Sequence, residues 1–183
     1  MEANTFTGAN HQYTHQQPAR LEQALVHKSD SINVFVGHIE QVPPTAQGHD
    51  NYLASMIIDT DHPFFFEHAL DHVPGLMLIE GVRQVGTAIS HMFYDVPFDL
   101  TFILNWLEVK FVDFAELQDP LLISMAITDK TYRRERLTGL ACECHWLQHE
   151  QSIGTMDARW SFSSPATLAR LRHSNSTHGH HSN

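Results

Sequence analysis

The residues most able to do chemistry stand in one stretch, which reads DHPFFFEHALDHVPGLMLIEGVRQ from Asp61 to Gln84. Pro74 and Gly75 open a helical pattern, so the first amides have no partners and favour a negative charge. His68 lies six residues before Pro74, and Glu80 lies six residues after it. The spacing predicts a site in which helix-start amides hold an oxyanion while a histidine and a carboxyl group move protons.

Glu80 stands in the second turn of this helix among apolar residues such as Leu76 and Ile79. A carboxyl group in apolar company is expected to have a raised pKa, which suits it to proton donation. His68 is the preferred base, because its loop must pack against the helix start. His72 is the alternative base, or else a residue that shapes the loop.

Polar residues share one face of this otherwise apolar helix: Glu80, Arg83, Gln84, Thr87 and His91. A polar stripe on a helix that should be buried requires an explanation. We predict that Gly75, His68 and Glu80 are catalytic, and that substrate binding involves Pro74, His72, Arg83 and Gln84. The alternative for Arg83 is a structural ion pair with Glu80. No HExxH pattern is present, and we predict no metal site.

The elements that must position these residues can be read from the hydrophobic periodicity. Residues 20–28 favour a short helix, residues 32–39 and 52–58 favour strands, and a buried helix runs from Pro74 to about Phe93. Period-two patterns then predict four strands, at residues 100–114, 121–128, 140–147 and 154–162. In the first of these the buried face changes near Trp106, which indicates a bulge.

This order of elements favours an α+β architecture, the hotdog fold, in which an antiparallel sheet wraps around one long central helix. The sheet would leave one face of the helix and one edge uncovered. Pairing two subunits is the usual way to cover them, and we therefore expect a homodimer.

Length and composition limit the possible classes of protein. The 183 residues suit one domain, and we predict a loosely ordered arm at 1–25, a hotdog domain at 26–172 and a disordered His-rich tail at 173–183. The net charge of −10 argues against nucleic-acid binding. No apolar run is long enough to span a membrane, and two close cysteines, Cys142 and Cys144, fit a reduced, cytoplasmic setting.

The central motif resembles two known families. PGLMLIE at residues 74–80, with Gln84 after it, is similar to the helix start of the hydroxyacyl-carrier-protein dehydratases, in which a loop histidine and the helix glutamate form the catalytic pair. The resemblance is closer to the A-factor biosynthesis hotdog family, whose repeats resemble FDHxxDHVPGMLLLEAARQ. The matching residues are 66–68, 71–75, 78–80 and 83–84, and VHK at 26–28 resembles that family's opening.

The A-factor resemblance implies transfer of a β-ketoacyl group from a thioester to the hydroxyl of dihydroxyacetone phosphate. The acyl group would be carried on the phosphopantetheine of acyl carrier protein or on coenzyme A, with no other cofactor. The family's signal synthases carry two repeats in one chain and this chain carries one, which again implies a homodimer. In this scheme His68 would deprotonate the acceptor, and Glu80 or Arg83 would orient it.

Other readings stay open on the sequence alone. A dehydratase acting on 3-hydroxyacyl thioesters would use the same residues, with Glu80 protonating the leaving hydroxyl. A thioesterase and a non-catalytic acyl-binding module are further alternatives. A basic cluster, Lys130, Arg133, Arg134 and Arg136, is either a charged hairpin end or a dock for an acidic carrier protein.

Overall fold

One antiparallel sheet and one long helix make up most of the chain in the computed structural model, which describes residues 18–177. The strands are β1 Val36–Val42, β2 Asp50–Met56, β3 Thr101–Phe111, β4 Leu122–Arg133, β5 Arg136–Gln148 and β6 Gln151–Ser163. Helix α1 spans Gly75–Tyr94, and α2 spans Pro165–Thr177. Two short 3-10 helices, Gln23–Val26 and Ser31–Asn33, precede the sheet.

The strands are ordered β1-β2-β4-β5-β6-β3, and all neighbours pair antiparallel. Helix α1 packs on one face of this sheet through residues such as Met77, Val85 and Ile89, which are fully buried. The core includes Trp146, whose indole N–H donates to the carbonyl of Leu78 at 3.3 Å. The hotdog architecture is thus confirmed.

Helix α1 and strands β2, β4, β5 and β6 agree with the sequence prediction apart from their ends. The bulge near Trp106 is also confirmed, since the pairing of β3 with β6 shifts between Leu104 and Trp106. The prediction that β3 has a buried face on each side of the bulge is wrong for the single chain. β3 is an outer strand, and Leu104, Trp106, Leu107 and Phe111 are exposed along it.

The first predicted strand begins too early. Residues 31–33 form a 3-10 turn because the carboxylate of Asp30 accepts a hydrogen bond from the amide of Ile32 at 3.0 Å, and the strand begins only at Val36. The predicted helix at 20–28 is reduced to one 3-10 turn. Helix α2 was not predicted, and its backbone continues through the first residues of the predicted tail, to Thr177. Residues 1–17 of the predicted arm and 178–183 of the tail lie outside the described residues.

Candidate active site at the start of the central helix

Helix α1 begins at Gly75, and no side chain caps its first turn. Pro74 occupies the cap position without a side-chain hydrogen bond, and its carbonyl accepts from the amides of Met77 and Leu78. The amides of Gly75 and Leu76 precede the first intrahelical bonds and point outward. A Cβ atom on Gly75 would lie 3.0 Å from the ring of Phe111 at the end of β3, so a larger residue at this position would require that ring to move slightly. The helix start can therefore accept a developing oxyanion.

His72 lies immediately before this helix start and is held from two sides. Its Nδ1 is 2.7 Å from Asp71 Oδ1, and its ring packs on that of Phe114 at 4.9 Å between centroids. Because a carboxylate can only accept, Nδ1 carries the proton and Nε2 is left to act as a base when the ring is neutral. The bond to His72 also lowers the pKa of the exposed Asp71 carboxyl. Asp71 is a candidate orienting residue that the sequence analysis did not single out.

His68, the base preferred on sequence grounds, is exposed on the surface of the loop. Its side chain makes no hydrogen bond or ion pair with any residue that the structure describes, and it does not line the cavity beside Glu80. The structure therefore does not bring His68 and Glu80 together within one chain. His72 does not line that cavity either, but it lies three residues before Gly75, next to the start of α1.

A buried histidine, His62, organises the aromatic part of this loop. Its Nδ1 accepts from the amides of Phe64 at 3.2 Å and Phe65 at 3.3 Å, so the proton resides on Nε2, which donates to Asn33 Oδ1 at 3.2 Å. Burial is the main cause that lowers the pKa of His62, which favours this neutral form. His62 therefore fixes the positions of Phe64 and Phe65.

A cavity of about 320 Å³ opens between this loop, the helix start and the N-terminal segment, which we define as residues 20–35. Its polar floor and aromatic walls are formed by Lys28, Asn33, Phe35, His62, Phe64, Phe65, Leu76 and Glu80. Leu76, which is 65% exposed, and Phe64 stand at its rim. The cavity therefore combines an apolar mouth with a polar end, next to the free amides of α1.

Glu80 lies at that polar end as a fully paired carboxylate. Its Oε1 accepts from Lys28 Nζ at 2.8 Å, Arg83 Nη2 at 2.8 Å and Gln84 Nε2 at 3.0 Å, and its Oε2 accepts from Arg83 Nε at 2.8 Å. The raised pKa predicted from its apolar neighbours is wrong. Burial is the largest single cause and acts upward, but the combined donors outweigh it and hold the pKa at about 2. Glu80 is therefore ionised at neutral pH.

Arg83 is occupied by structural contacts. Besides Glu80, it donates to the carbonyl of Val26 at 3.1 Å and to the hydroxyl of Thr87 at 3.4 Å. The predicted substrate contact of Arg83 therefore gives way to its alternative, an ion pair with Glu80, because few of its N–H groups remain for a ligand.

Gln84 is completely buried and joins α1 to the N-terminal segment. Its Oε1 accepts from the amide of Phe35 at 2.8 Å, and its Nε2 donates to the carbonyl of Asn33 at 2.7 Å. These contacts explain much of the polar face of α1, because its side chains form hydrogen bonds with backbone groups of the N-terminal segment, which crosses this face. Direct binding of substrate by Gln84 is not supported by this burial.

Lys28 and Asn33 are the cavity residues that the sequence analysis missed. The VHK resemblance drew attention to residues 26–28 but gave Lys28 no role. Of the three donors on its ammonium group, Lys28 uses one for Glu80. Lys28 is therefore the positively charged residue in the cavity lining that still has N–H donors available for a ligand.

The basic cluster lies at the far end of the fold from Gly75. Lys130 pairs with Asp50 at 2.6 Å, and Tyr94 at the end of α1 donates to the same carboxylate at 2.6 Å. Since α1 is 20 residues long, roughly 30 Å separate the cluster from the helix start. This separation favours the reading as a charged hairpin end.

Among residues 18–177, no three metal-ligating side chains converge into a site for an ion. No helix within the same range has the length and apolar character needed to cross a membrane.

Comparison with known proteins places the chain in a family. The family model described as the A-factor biosynthesis hotdog domain matches residues 10–164. A 2-oxo-3-(phosphooxy)propyl 3-oxoalkanoate synthase of Streptomyces virginiae is 33% identical over 85 residues, 45% of this chain and 26% of that protein. The synthase of the same name from Streptomyces coelicolor is 31% identical over 70 residues, 38% of this chain and 20% of that protein. The matches thus span about a quarter or less of these curated relatives.

The fold recurs among solved structures. A protein from Lactococcus lactis described as a candidate thioesterase superposes with a TM-score of 0.53 at 8% identity, covering 71% of this chain and 93% of its own. At this identity the similarity concerns the fold alone.

Proposed function

The chain belongs to the A-factor biosynthesis hotdog family, and on that basis we propose that it is an enzyme that transfers a 3-ketoacyl group from a thioester to the hydroxyl of a small anionic acceptor. The observation that carries this proposal is the charge of the cavity floor. Lys28 and the ionised Glu80 line the cavity, and Arg83 pairs with Glu80 from outside this lining, so the three groups together carry two positive charges and one negative charge. The floor therefore keeps a net positive charge beside an oxyanion site.

A phosphorylated acceptor fits this floor. Dihydroxyacetone phosphate is small enough for a cavity of about 320 Å³, and Lys28 has donors free for its phosphate. The two Streptomyces relatives are named for products that carry a phosphooxy group. The acyl chain would enter over the apolar rim formed by Phe64 and Leu76.

The transfer can be written with this chain's own groups. His72 Nε2, oriented by Asp71, removes the proton of the acceptor hydroxyl as its oxygen attacks the thioester carbonyl. The amides of Gly75 and Leu76 hold the oxyanion of the tetrahedral intermediate. The C–S bond then breaks, the ester C–O bond remains, and the proton on His72 passes to the leaving thiolate.

The dehydratase alternative requires a proton donor for the leaving 3-hydroxyl group. Glu80 would serve that purpose only if it were protonated near neutral pH, whereas three donors hold its pKa at about 2. The transferase needs Glu80 only as a carboxylate that positions Lys28. The ionisation of Glu80 thus supports transfer over dehydration, and no comparable observation favours a thioesterase or a binding module.

We propose that the active form is a homodimer that receives its acyl group from acyl carrier protein or coenzyme A. The outer strand β3 exposes apolar side chains, among them Trp106 and Phe111, and its edge has no partner within residues 18–177. Such an edge invites pairing with a second copy. Phe111 and Phe114 link this surface to Gly75 and His72, so dimerisation would enclose the helix start.

Intact-protein mass spectrometry tests the proposed reaction. Carrier proteins loaded with 3-ketoacyl or 3-hydroxyacyl chains are incubated with the enzyme, with and without dihydroxyacetone phosphate. We expect the ketoacyl carrier to be unloaded only when the acceptor is present. Loss of water from the hydroxyacyl carrier would instead make the protein a dehydratase, and unloading without acceptor would make it a thioesterase.

Two variants connect the reaction to the cavity. Lys28→Gln removes the free cation of the floor and should raise the KM for the acceptor by roughly a hundredfold, the equivalent of a charged hydrogen bond. Arg136→Gln removes an exposed cation on the far hairpin and is the matched control, which should leave KM unchanged. Equal effects of the two substitutions would contradict the assignment of Lys28.

A further inference from the structure

A histidine pair lies along the polar face of α1, beyond the cavity, and has no part in the proposed transfer. His27 Nε2 and His91 Nε2 are 2.9 Å apart, and His91 is only 8% exposed. Phe98 stacks on the His91 ring at 4.0 Å between centroids, and Phe102 meets the His27 ring edge-on at 4.9 Å. The buried His91 is therefore flanked by aromatic rings, whereas His27 is exposed.

The hydrogen bonds of His91 determine where the protons lie. His91 Nδ1 is 2.6 Å from the carbonyl oxygen of Val96, which can only accept, so this nitrogen carries a proton. Neutral His91 therefore accepts at Nε2, and His27 donates from its own Nε2. One extra proton, on His27 Nδ1, leaves this bond intact. A second extra proton, on His91 Nε2, would place two N–H groups against each other and break the hydrogen bond between the two rings.

The charges around His27 favour the neutral pair. Burial, followed by the charges of His91 and Arg83, lowers the pKa of His27. His91 and Arg83 both belong to α1, whereas Phe98 and Phe102, which pack on the pair from the other side, carry no charge. The sequence neighbour Lys28 is directed away from the pair, towards Glu80.

The backbone at His27 connects this pair to the cavity. His27 has a left-handed conformation, with φ 54° and ψ 48°, and closes the 3-10 turn that begins at Gln23. A non-glycine residue in this region is strained, so other contacts must hold it. The turn is fixed by the bond from the amide of Lys28 to the carbonyl of Gln23 at 2.9 Å. It directs Lys28 to the cavity and His27 to His91.

We propose that the His27–His91 pair is a positioning device which holds the left-handed turn, keeps Lys28 Nζ at the cavity floor, and releases it when both rings become protonated. The role of Lys28 in catalysis rests on the proposed function, but the position of the Lys28 side chain does not depend on it. Acid would therefore weaken ligand binding through residues that do not touch the ligand. His27 and His91 are positioning residues in this scheme.

Lysine NMR tests the position of Lys28 without any assumption about activity. The chain contains three lysines, Lys28, Lys110 and Lys130, so ¹³Cε-labelled lysine gives three signals that substitutions can assign. We expect the Lys28 signal to move on acidification together with the ring signals of His27 and His91. In His91→Gln and in His27→Gln it should already be displaced at neutral pH.

The controls separate positioning from loss of fold. Unchanged Lys110 and Lys130 signals would show that a variant is folded, and His38→Gln removes a histidine whose side chain is 71% exposed on β1. A Lys28 signal that is the same in His91→Gln, His27→Gln and the wild type would overturn the proposal. So would a Lys28 signal that shifts equally in His38→Gln.

Kinetics provide a second and separable readout. In His91→Gln, the KM for the acceptor should rise roughly tenfold at neutral pH with little change in kcat, which is the equivalent of one weakened hydrogen bond. The KM of this variant should no longer increase when the pH is lowered. If the protein shows no transfer while the NMR result holds, the proposed function fails and the positioning device stands. If transfer occurs while substitution of either histidine leaves the Lys28 signal unchanged, the proposed function stands and the positioning device fails.

Discussion

Replacing Glu80 with glutamine tests whether this residue is a buried anion or a proton donor. The substitution keeps the size of the side chain and one carbonyl acceptor but removes the negative charge. Lys28 and Arg83 would then lie close together without a counter-ion, at a site where the glutamate side chain is only 20% exposed. Breaking a partly buried ion pair from one side is strongly destabilising.

The expected loss follows from the pKa of Glu80. The folded protein lowers it from 4.5 to about 2, and each unit corresponds to about 1.4 kcal/mol of differential stabilisation. The carboxylate therefore contributes about 3 kcal/mol to the free energy of unfolding at pH 7. Because the pKa is lowered on folding, this contribution is complete above pH 4.5 and disappears as the pH falls towards 2.

Urea unfolding of wild type and Glu80→Gln across this pH range measures the effect. The wild type should be more stable by about 3 kcal/mol at pH 7, and the two curves should converge on acidification. Glu143→Gln, at a carboxylate that is 57% exposed, is the control and should change little. A Glu80→Gln variant that matches or exceeds the wild type at pH 7 would refute the reasoning and restore a protonated Glu80.

Three further substitutions test other parts of the structure. Gln84→Leu should lower the free energy of unfolding by about 3 kcal/mol in urea titrations, because buried backbone groups such as the amide of Phe35 lose their partner, and a neutral result would contradict this role. Trp106→Glu should convert the proposed dimer to a folded monomer in light scattering, whereas an unchanged mass would exclude β3 as the interface. Tyr94→Phe should cost about 1 kcal/mol in thermal unfolding by removing the donor to Asp50, and an unchanged Tm would show that this bond is dispensable.

The central helix could be predicted because its signals are local. Pro74 and Gly75 mark its start, and the apolar residues that follow recur at helical spacing until Phe93. The long strands β4, β5 and β6 have equally local period-two patterns. Together with the VPG motif, these patterns were sufficient to predict the fold and the family.

The chemical environment of Glu80 could be predicted only in part, because one of its partners is distant in sequence. Apolar neighbours within the helix correctly indicated desolvation, which is the largest single cause acting on the Glu80 pKa. Arg83, three residues further along the same helix, is the largest cause that lowers the pKa, and Lys28, which reaches Glu80 from a turn far earlier in the chain, adds to its effect. Ion pairs between distant segments leave no periodic trace in a sequence.

The errors at β1 and β3 have different physical causes. Ile32 and Val34 alternate as a strand would, but Asp30 caps a 3-10 turn there, and its position two residues before Ile32 was a local signal that favours a turn. The apolar residues of β3 were predicted to be buried, but in the single chain several of them are exposed along an outer strand. Their sequence does not reveal whether the cover is the same chain or a second copy.

Detection of the ester product distinguishes acyl transfer to the acceptor from hydrolysis of the thioester. The enzyme is incubated with a 3-ketoacyl carrier protein and ¹³C-labelled dihydroxyacetone phosphate, and the product is analysed by mass spectrometry alongside the free carrier thiol. We expect a labelled 3-ketoacyl ester in equal amount to the thiol released, with both strongly reduced in His72→Gln. Release of thiol without labelled ester, or ester formation that His72→Gln and Lys28→Gln leave intact, would contradict it.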